Sequence, residues 1–360
     1  CLLEAAGERE AHAEIAQACA SAEFLVRSAR PPHAPASITP YAVREFSSAD
    51  LAWLIHRQIL TRRIDVVQLD YTALAQYACE FHHIAQALFE HDVYFQSVAR
   101  GCSSFNAAYE YLRALRYELR ALRRFDRIQM CSQENRDYLL SFAPGLASRT
   151  EVGVRAAVDV SRYEFRASGR EPGTILFIGS FRHKPNIAAL EWFVRTVLPR
   201  VRAARPDARL VVVGSDPPPL HTFGSAQGLE LRGFVEDIRE PLSRYAALVC
   251  PILTGSGVRV KLLEAFASGI PAISTRLGAE GITREDGELC FIADDSAGFA
   301  ERVLAVLNEP ERAAAMAERA RREVERKWDA AAATRRLVES YRDALRAKRS
   351  AARASAAAQP

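Results

Sequence analysis

The chain has 360 residues, 49% of them hydrophobic and 26% charged, with a formal net charge of +4. This length and ordinary globular composition suggest two domains, and the charge is too small by itself to indicate nucleic-acid binding. No apolar run of about 18 residues and no signal-peptide pattern occurs, so neither a membrane span nor export is expected. Seven cysteines without CxxC spacing favour reduced, mostly buried thiols in a cytoplasmic protein, with Cys131 and Cys250 expected in the core.

The first half of the chain alternates strand and helix patterns after a helical segment at 1–20. Strands are predicted at 23–27, 41–46, 64–69, 84–90 and 127–131, and helices at 48–62, 72–80, 105–125 and 133–142. Ser47 or Ser48 is expected to cap the helix that runs to Arg62. A Rossmann-type half normally opens with a strand and a glycine-rich turn. Because neither is found here and the chain starts at Cys1, we expect that the N-terminus is truncated or that the sequence is a fragment of a longer chain.

The second half opens with an apolar strand at 174–179. Further strands are predicted at 209–213, 229–231, 247–252, 271–274 and 289–292, with helices between most of them. This alternation in two halves predicts an α/β protein with two doubly wound parallel sheets. The predicted domains are an N-terminal one at 1–167, a C-terminal one at 168–327, a crossover helix at 328–346 and a disordered tail at 347–360.

The segment CPILTGSGVRVKLLEAFASGIPAI, at 250–273, contains the most informative pattern. A strand leads into a loop with Gly255 and Gly257, and a helix begins directly after it. Free backbone N–H groups at such a helix N-terminus favour anions, and Arg259 and Lys261 add two cations. Farther along the helix, the Glu264 carboxylate can accept hydrogen bonds from two vicinal hydroxyls. Hydrogen-bond donors and cations that can bind phosphate, followed by a carboxylate that can accept from a diol, suit a nucleotide diphosphate with its ribose.

Other motifs continue this pattern in a fixed order: FIGSF at 177–181, VVVGS at 211–215, GFVEDI at 233–238, GSGVRVKLLEAFASGIPAIST at 255–275 and GAEGI at 278–282. Together they resemble the donor-binding domain of retaining glycosyltransferases of the GT-B type, family 4 or group 1. The resemblance is strong over 174–345 and weaker over 64–165. It implies two Rossmann-like domains facing a cleft, the N-terminal one lacking its first strand. It also implies transfer of a sugar, with retention, from a nucleotide diphosphate sugar to an acceptor hydroxyl.

The resemblance implies roles for charged residues around the donor. Glu264 would hold the ribose hydroxyls, with a solvated helix glutamate as the alternative. Relatives usually carry another glutamate eight positions earlier, where this chain has Ser256, so the donor hexose stays open. Charge compensation of the diphosphate is assigned first to Arg259 or Lys261. It is assigned second to Arg182 or Lys184, with plain surface charges as the alternative for one or two of these residues.

The remaining donor contacts implied by the resemblance are mostly backbone or apolar. The diphosphate and sugar would lie against Gly179, Gly255, Ser256, Gly257 and Val258. The base would lie near Phe234, Val235 and Ile238. Relatives need no obligatory metal and no further cofactor, so none is expected here.

Two features of the first half are open to more than one interpretation. His91 follows a strand end beside Asp92, and the resemblance makes it a catalytic candidate that contacts the transferred sugar or the acceptor; a purely structural histidine is an equal alternative. The helix over 109–125 carries leucines 112, 115, 119 and 122 at helical spacing, with arginines between them. A core-facing helix with a solvated basic face is favoured over peripheral docking on an anionic membrane.

The acceptor is expected to be a glycan, a lipid-linked sugar or a cell-envelope polysaccharide, and no nucleic-acid partner is expected. Two other functions stay open. One is a nucleotide-sugar epimerase of the same architecture, for which no further catalytic carboxylates can be placed. The other is a degenerate domain that binds a sugar nucleotide without turnover, suggested by Ser256 and the missing first strand. A cytoplasmic protein, or one peripheral to the inner face of the membrane, is expected.

Overall fold

The computed structural model describes residues 2–3, 13–26, 37–100, 104–154, 156–224, 226–255 and 257–357. The chain divides into two compact units. The first unit contains residues 1–130, 139–151 and 338–360, and the second contains residues 131–138 and 152–337. No helix in the described ranges is both long and apolar enough to cross a membrane.

The first unit is built on a four-stranded sheet. Two short parallel strands, β1 (Leu2–Leu3) and β2 (Leu25–Val26), stand apart from it. The sheet has the order β3-β4-β5-β6, and its strands are β3 (Val66–Asp70), β4 (Ala85–Glu90), β5 (Arg127–Met130) and β6 (Thr150–Val152). The pairs β3-β4 and β4-β5 are parallel. All six residues of β4 are buried, as expected for an inner strand of a sheet covered on both faces.

The helices of the first unit lie between these strands in the chain. They are α1 (Ala13–Ala18), α2 (Tyr41–Glu45), α3 (Ala49–Arg62), α4 (Tyr94–Arg100) and α5 (Phe105–Ala121). A 3₁₀ turn at Thr72–Tyr77 stands where a longer helix was predicted at 72–80. A further helix, α6 (Gln133–Phe142), begins in the second unit and ends in the first.

Local capping explains one correct prediction and one wrong one. The Ser48 hydroxyl accepts a hydrogen bond from the Leu51 amide at 3.2 Å, which confirms the predicted cap of α3. The strand predicted at 41–46 is wrong, because these residues form α2. The Glu110 carboxylate accepts a hydrogen bond from the Tyr41 amide at 2.8 Å, so a residue distant in sequence satisfies an N–H group that a helix start leaves without a partner.

The second unit contains a six-stranded, fully parallel sheet with the order β12-β11-β10-β7-β8-β9. Its strands are β7 (Glu171–Ile178), β8 (Arg209–Val213), β9 (Leu229–Gly233), β10 (Tyr245–Cys250), β11 (Ala272–Ser274) and β12 (Phe291–Ile292). Its helices are α7 (Lys184–Trp192), α8 (Leu198–Ala204), α9 (Arg239–Arg244), α10 (Val260–Ser268), α11 (Ser296–Asn308) and α12 (Pro310–Glu323). All residues of β11 and β12 and all but one residue each of β8 and β10 are buried, and Cys250 lies in this core.

The last helix, α13 (Ala330–Ala357), starts in the second unit and belongs to the first from Val338 onward. Within the first unit, the Tyr341 hydroxyl donates to Gln68 Oε1 at 2.9 Å, and Lys348 Nζ lies 3.2 Å from Asp126 Oδ1. The helix continues to Ala357 and so includes residues 347–357 of the predicted disordered tail, while the rest of that tail lies outside the described residues. Alanine and arginine are strong helix formers, so a segment without an apolar period can still extend an existing helix.

Two carboxyl groups, those of Glu90 and Glu118, are buried in the first unit. Glu90, at the end of β4, accepts a hydrogen bond from the Thr72 hydroxyl. Glu118, on α5, accepts hydrogen bonds from the amides of Tyr94 and Phe95 at 3.1 and 2.9 Å and so caps the start of α4. Burial raises the pKa of Glu90 to about 8 and also raises the pKa of Glu118 well above its usual range.

These raised pKa values predict how stability depends on pH. The folded protein keeps a proton on Glu90 up to about pH 8, whereas the ordinary value is 4.5. Between these values the folded state binds more protons than the unfolded state, so stability falls as pH rises. Replacing Glu90 with glutamine should raise the thermal midpoint at about pH 9 and much less at about pH 5.

The matched control for this prediction is Glu80→Gln, at a side chain that is 92% exposed. It should leave the pH dependence of the midpoint unchanged. Equal pH dependence in wild type and Glu90→Gln would contradict the assignment of this dependence to the buried carboxyl group.

Candidate functional site

The glycine loop of the second unit lies between β10 and α10. Gly255 and Gly257 have φ angles of 99° and 86°, in the left-handed region that glycine adopts without strain. Arg259 directly precedes the first residue of α10, and its Nη2 lies 3.4 Å from the position that a Cβ at Gly255 would take. The guanidinium group therefore lies close to Gly255 in the loop. Ser256 lies outside the described residues.

Lys261 joins this loop to the neighbouring strand. Because β10 pairs with β7 in parallel, their carboxyl ends lie at the same edge of the sheet. Lys261 Nζ donates to the carbonyl oxygen of Ile178 at 2.5 Å and to Asn186 Oδ1 at 3.1 Å. Burial lowers the pKa of Lys261 below its usual range. The lysine is thus held in one position at the strand edge, where a cation is desolvated and acts strongly on a nearby anion.

Two glycines allow close approach of the backbone at this edge. A Cβ at Gly214, after β8, would lie 1.7 Å from the carbonyl oxygen of Gly179, after β7. A Cβ at Gly179 would lie 2.8 Å from Cγ of Asn186. Asn186 in turn donates to the carbonyl oxygen of Ser180 at 2.8 Å. Glycine at 179 therefore lets Asn186 come close enough to bind both the turn after β7 and Lys261.

Glu264 lies one turn beyond Lys261 on α10. Its Oε1 accepts a hydrogen bond from the Tyr163 hydroxyl at 2.9 Å. Burial is the main cause that raises the pKa of Glu264, whereas the Tyr163 hydrogen bond and the Lys261 charge lower it. The predicted diol acceptor is thus a partly buried carboxylate that is already oriented by a tyrosine.

Tyr163 is fixed from the backbone side as well. Arg321 donates to the carbonyl oxygens of Tyr163, at 3.0 Å, and of Ala267. Near the same end of α10, the Arg166 amide donates to the carbonyl oxygen of Ser268 at 3.0 Å. The segment before β7 is therefore attached to the carboxyl end of α10, and this attachment places the tyrosine hydroxyl against Glu264.

The predicted base-binding residues follow β9. Phe234 is 72% exposed, while Val235 and Ile238 are partly buried and pack against the core of the unit. Asp237 accepts hydrogen bonds from the amide and the guanidinium group of Arg239, at 2.9 and 2.7 Å. Of these three residues, Phe234 presents a large apolar surface to solvent, whereas Val235 and Ile238 attach the loop to the core.

The second pair of predicted phosphate cations lies on the surface. Arg182 forms an ion pair with Asp216 at 2.8 Å, and its side chain is 69% exposed. Lys184 begins α7 and is also exposed. Val258 is partly buried and packs against the core. The structure therefore groups Gly179, Arg259, Lys261 and Glu264 around the carboxyl edge of β7 and β10 and leaves Arg182 and Lys184 exposed to solvent.

His91 lies in the first unit, directly after β4. Its ring stacks on Tyr71, with ring centroids 3.8 Å apart, and tilts against Phe89 at 4.1 Å. Tyr71 has a φ angle of 72°, a conformation that is uncommon for a residue with a side chain. An aromatic pair thus holds the imidazole ring at a strand end.

Sequence reasoning missed two polar residues of the site. These residues are Tyr163 and Asn186. Neither has a local signal, because their partners Glu264 and Lys261 are 101 and 75 positions away. Among the described residues, no group of three or more His, Cys, Asp or Glu side chains is arranged to hold a metal ion.

Comparison with known proteins adds independent findings. Residues 172–309 match the family described as glycosyl transferases group 1. A curated protein of Klebsiella pneumoniae, named "Uncharacterized 44.6 kDa protein in cps region", is 27% identical over 139 residues. That alignment covers 36% of this chain and 36% of the relative.

Several solved structures share the fold across most of the chain. Sucrose-phosphate synthase from Thermosynechococcus elongatus has a TM-score of 0.70 and 17% identity, with 96% of this chain and 95% of that chain covered. Anabaena HepE in complex with UDP has a TM-score of 0.70 and 14% identity, with 95% and 91% covered. WaaG, described as a glycosyltransferase involved in lipopolysaccharide biosynthesis, has a TM-score of 0.60 and 14% identity, with 89% and 86% covered. The chain therefore has the GT-B fold of these structures, and its residues 172–309 are similar to the glycosyl transferases group 1 family.

Proposed function

We propose that the protein is a glycosyltransferase that moves a sugar from a nucleoside diphosphate sugar to an acceptor hydroxyl. The observation that carries this proposal is the arrangement on α10, within the matched domain. Arg259 and Lys261 supply positive charge beside the glycine loop, and Glu264 supplies a diol acceptor one turn farther on. A diphosphate and its ribose present the complementary groups in the same order.

We further propose that transfer proceeds with retention. In this route the acceptor oxygen bonds to the anomeric carbon on the face from which the nucleoside diphosphate departs. The bond between that carbon and the phosphate oxygen breaks, and the acceptor proton passes to the departing phosphate. The protein then contributes position and charge stabilisation, which fits a site built from cations and backbone amides. We assign His91 to the transferred sugar or the acceptor, because it follows the buried strand β4 at its carboxyl end.

The relatives suggest which donor and acceptor to test first. Solved structures of Anabaena HepE are described with UDP and with UDP-glucose, so uridine is the first base to examine. WaaG is described as involved in lipopolysaccharide biosynthesis, and the Klebsiella relative is described as a protein in the cps region. An envelope glycan is therefore the first class of acceptor to examine. The donor site proposed here needs no metal, because protein cations neutralise the diphosphate.

A thermal-shift panel with UDP, GDP, ADP, CDP and dTDP, each with and without EDTA, tests the proposal. A ligand that binds only the folded state raises the unfolding midpoint. We expect one nucleotide to raise it selectively, without sensitivity to EDTA, and we expect Glu264→Ala to lose the effect. If no nucleotide raises the midpoint, the donor-site proposal fails.

A further inference from the structure

Tyr71 has a strained backbone directly after β3. Its φ and ψ angles are 72° and 140°, a conformation that glycine adopts readily and that a residue with a side chain adopts only under strain. The residue is 53% exposed, so burial of its side chain does little to offset this strain. Strained residues persist where the surrounding structure holds them in place, and they cluster at functional sites. The contacts of Tyr71 therefore indicate what the strain serves.

Hydrogen bonds on both sides of Tyr71 fix its backbone. The Tyr71 amide donates to the carbonyl oxygen of Phe89 at 2.9 Å, and the hydroxyl of the next residue, Thr72, donates to Glu90. The Tyr71 carbonyl oxygen accepts from the Leu74 amide at 3.0 Å, within the 3₁₀ turn that follows. Phe89 and Glu90 are the last two residues of β4 and are themselves buried. The turn after β3 is thus attached to a rigid strand end, which leaves the backbone at Tyr71 little freedom to relax.

The side chain of Tyr71 contacts His91, which directly follows the same strand end. The two ring planes are nearly parallel, with 12° between them and 3.8 Å between the centroids. The Phe89 ring meets the imidazole at 53°, with 4.1 Å between the centroids. Because β3 and β4 are parallel neighbours, Tyr71 and His91 both follow the carboxyl edge of this sheet. Two aromatic rings therefore restrict the plane of the imidazole.

We propose that Tyr71 is a positioning residue that orients His91 for its contact with the transferred sugar or the acceptor. The inference rests on the proposed role of His91 in sugar transfer. The backbone angles of a residue set the direction of its Cα–Cβ bond, so the strained conformation directs the phenol ring over the imidazole. An imidazole that is already oriented before the substrates bind needs no rearrangement during transfer. Misplacement of a reacting group by about 1 Å can lower a rate by about a hundredfold.

The ring-proton resonances of His91 test the stacking on the whole chain without any substrate. In protein that is isotopically labelled at histidine, these resonances are identified by their absence from His91→Asn. The ring current of a stacked aromatic side chain shields protons over its face, so we expect an upfield displacement in the wild type and in Tyr71→Phe. Tyr71→Leu should move the resonances downfield. Identical His91 resonances in the wild type and Tyr71→Leu would overturn the proposal, whether or not the protein transfers sugar.

Steady-state kinetics separates positioning from a purely structural role. Tyr71→Leu should lower kcat by about a hundredfold and leave both the KM for the donor and the nucleotide-induced thermal shift unchanged. Tyr71→Phe keeps the ring and should retain most of kcat. In the His91→Asn background, Tyr71→Leu should cause no further loss, because it acts through His91. Equal kcat in the wild type and Tyr71→Leu, or additive losses in the double variant, would overturn the proposal. Absence of transfer in the wild type would contradict the proposed function, and the His91 resonances distinguish that failure from a failure of the stacking.

Two further variants test the strain, and one serves as a control. Tyr71→Ala removes the ring but keeps a Cβ atom, whereas Tyr71→Gly removes both. The glycine variant should therefore have the higher thermal midpoint, although kcat should be low in both. An alanine variant that is as stable as the glycine variant would overturn the assignment of strain. The matched control is Trp53→Leu, which removes a 62% exposed aromatic ring from α3 in the same unit and should keep the kcat of the wild type.

Discussion

Replacing Lys261 with methionine should lower turnover by about two to three orders of magnitude, the loss that follows removal of one preorganised charge from a reaction centre. The reason is the position of Lys261 Nζ, which the carbonyl oxygen of Ile178 and Asn186 hold at the carboxyl edge of β7. A desolvated ammonium group at that point stabilises the charge that develops on a departing diphosphate. Steady-state kinetics with the donor sugar nucleotide measures the effect.

The pH profile separates this role from a purely structural one. Because burial lowers the pKa of Lys261, kcat/KM of the wild type should fall on the alkaline side at a lower pH than for an ordinary lysine. The methionine variant should lack this fall. Lys327→Met, at an exposed side chain over Trp328, is the control for loss of a lysine and should keep wild-type turnover. Unchanged turnover in Lys261→Met, with a folded protein, would contradict the assignment.

Replacing Glu264 with alanine should weaken nucleoside diphosphate binding by about tenfold to a hundredfold, because hydrogen bonds to a charged group contribute about 1.5–3 kcal/mol. The ribose hydroxyls would lose the only partner that we assign to them, and the core around α10 would keep its leucines. Calorimetric titration with the nucleotide selected by the thermal-shift panel measures the change. Glu301→Ala, at an exposed position on α11, is the matched control.

Both ribose hydroxyls can donate hydrogen bonds to the Glu264 side chain only when that carboxylate is ionised. Burial raises the pKa of Glu264, so nucleotide affinity should fall as pH decreases through that raised pKa, and Glu264→Gln should show no such dependence. Tyr163→Phe removes the hydroxyl that orients the carboxylate and keeps the ring. In the wild-type background, Tyr163→Phe should weaken nucleotide binding. In the Glu264→Gln background, it should cause no further loss of nucleotide affinity. Independent, additive losses would show that Tyr163 acts apart from Glu264.

The secondary structure of the second unit could be predicted well from sequence. The apolar run at 209–213 matches β8, and the helix predicted directly after the glycine loop begins at Val260 as α10. These elements are coded locally, by uninterrupted apolar residues that a parallel sheet buries on both faces and by glycines at the turns between them. Where a partner distant in sequence decides the structure, prediction failed. Tyr41–Glu45 is a helix because Glu110 binds its first turn, and Arg113 is buried because Glu110 and Ser37 bind it.

The candidate site also has some features that are determined locally and others that depend on residues distant in sequence. The sequence by itself determined the glycine loop and the order of Arg259, Lys261 and Glu264 on one helix, since spacing along a helix places side chains without any tertiary information. Only the tertiary structure decided which polar groups meet them. Asn186 reaches Lys261 because β10 lies beside β7 in the sheet, and Tyr163 reaches Glu264 because Arg321 attaches its segment to the end of α10. Strand order and such long-range contacts result from packing of the whole unit, which no local pattern encodes.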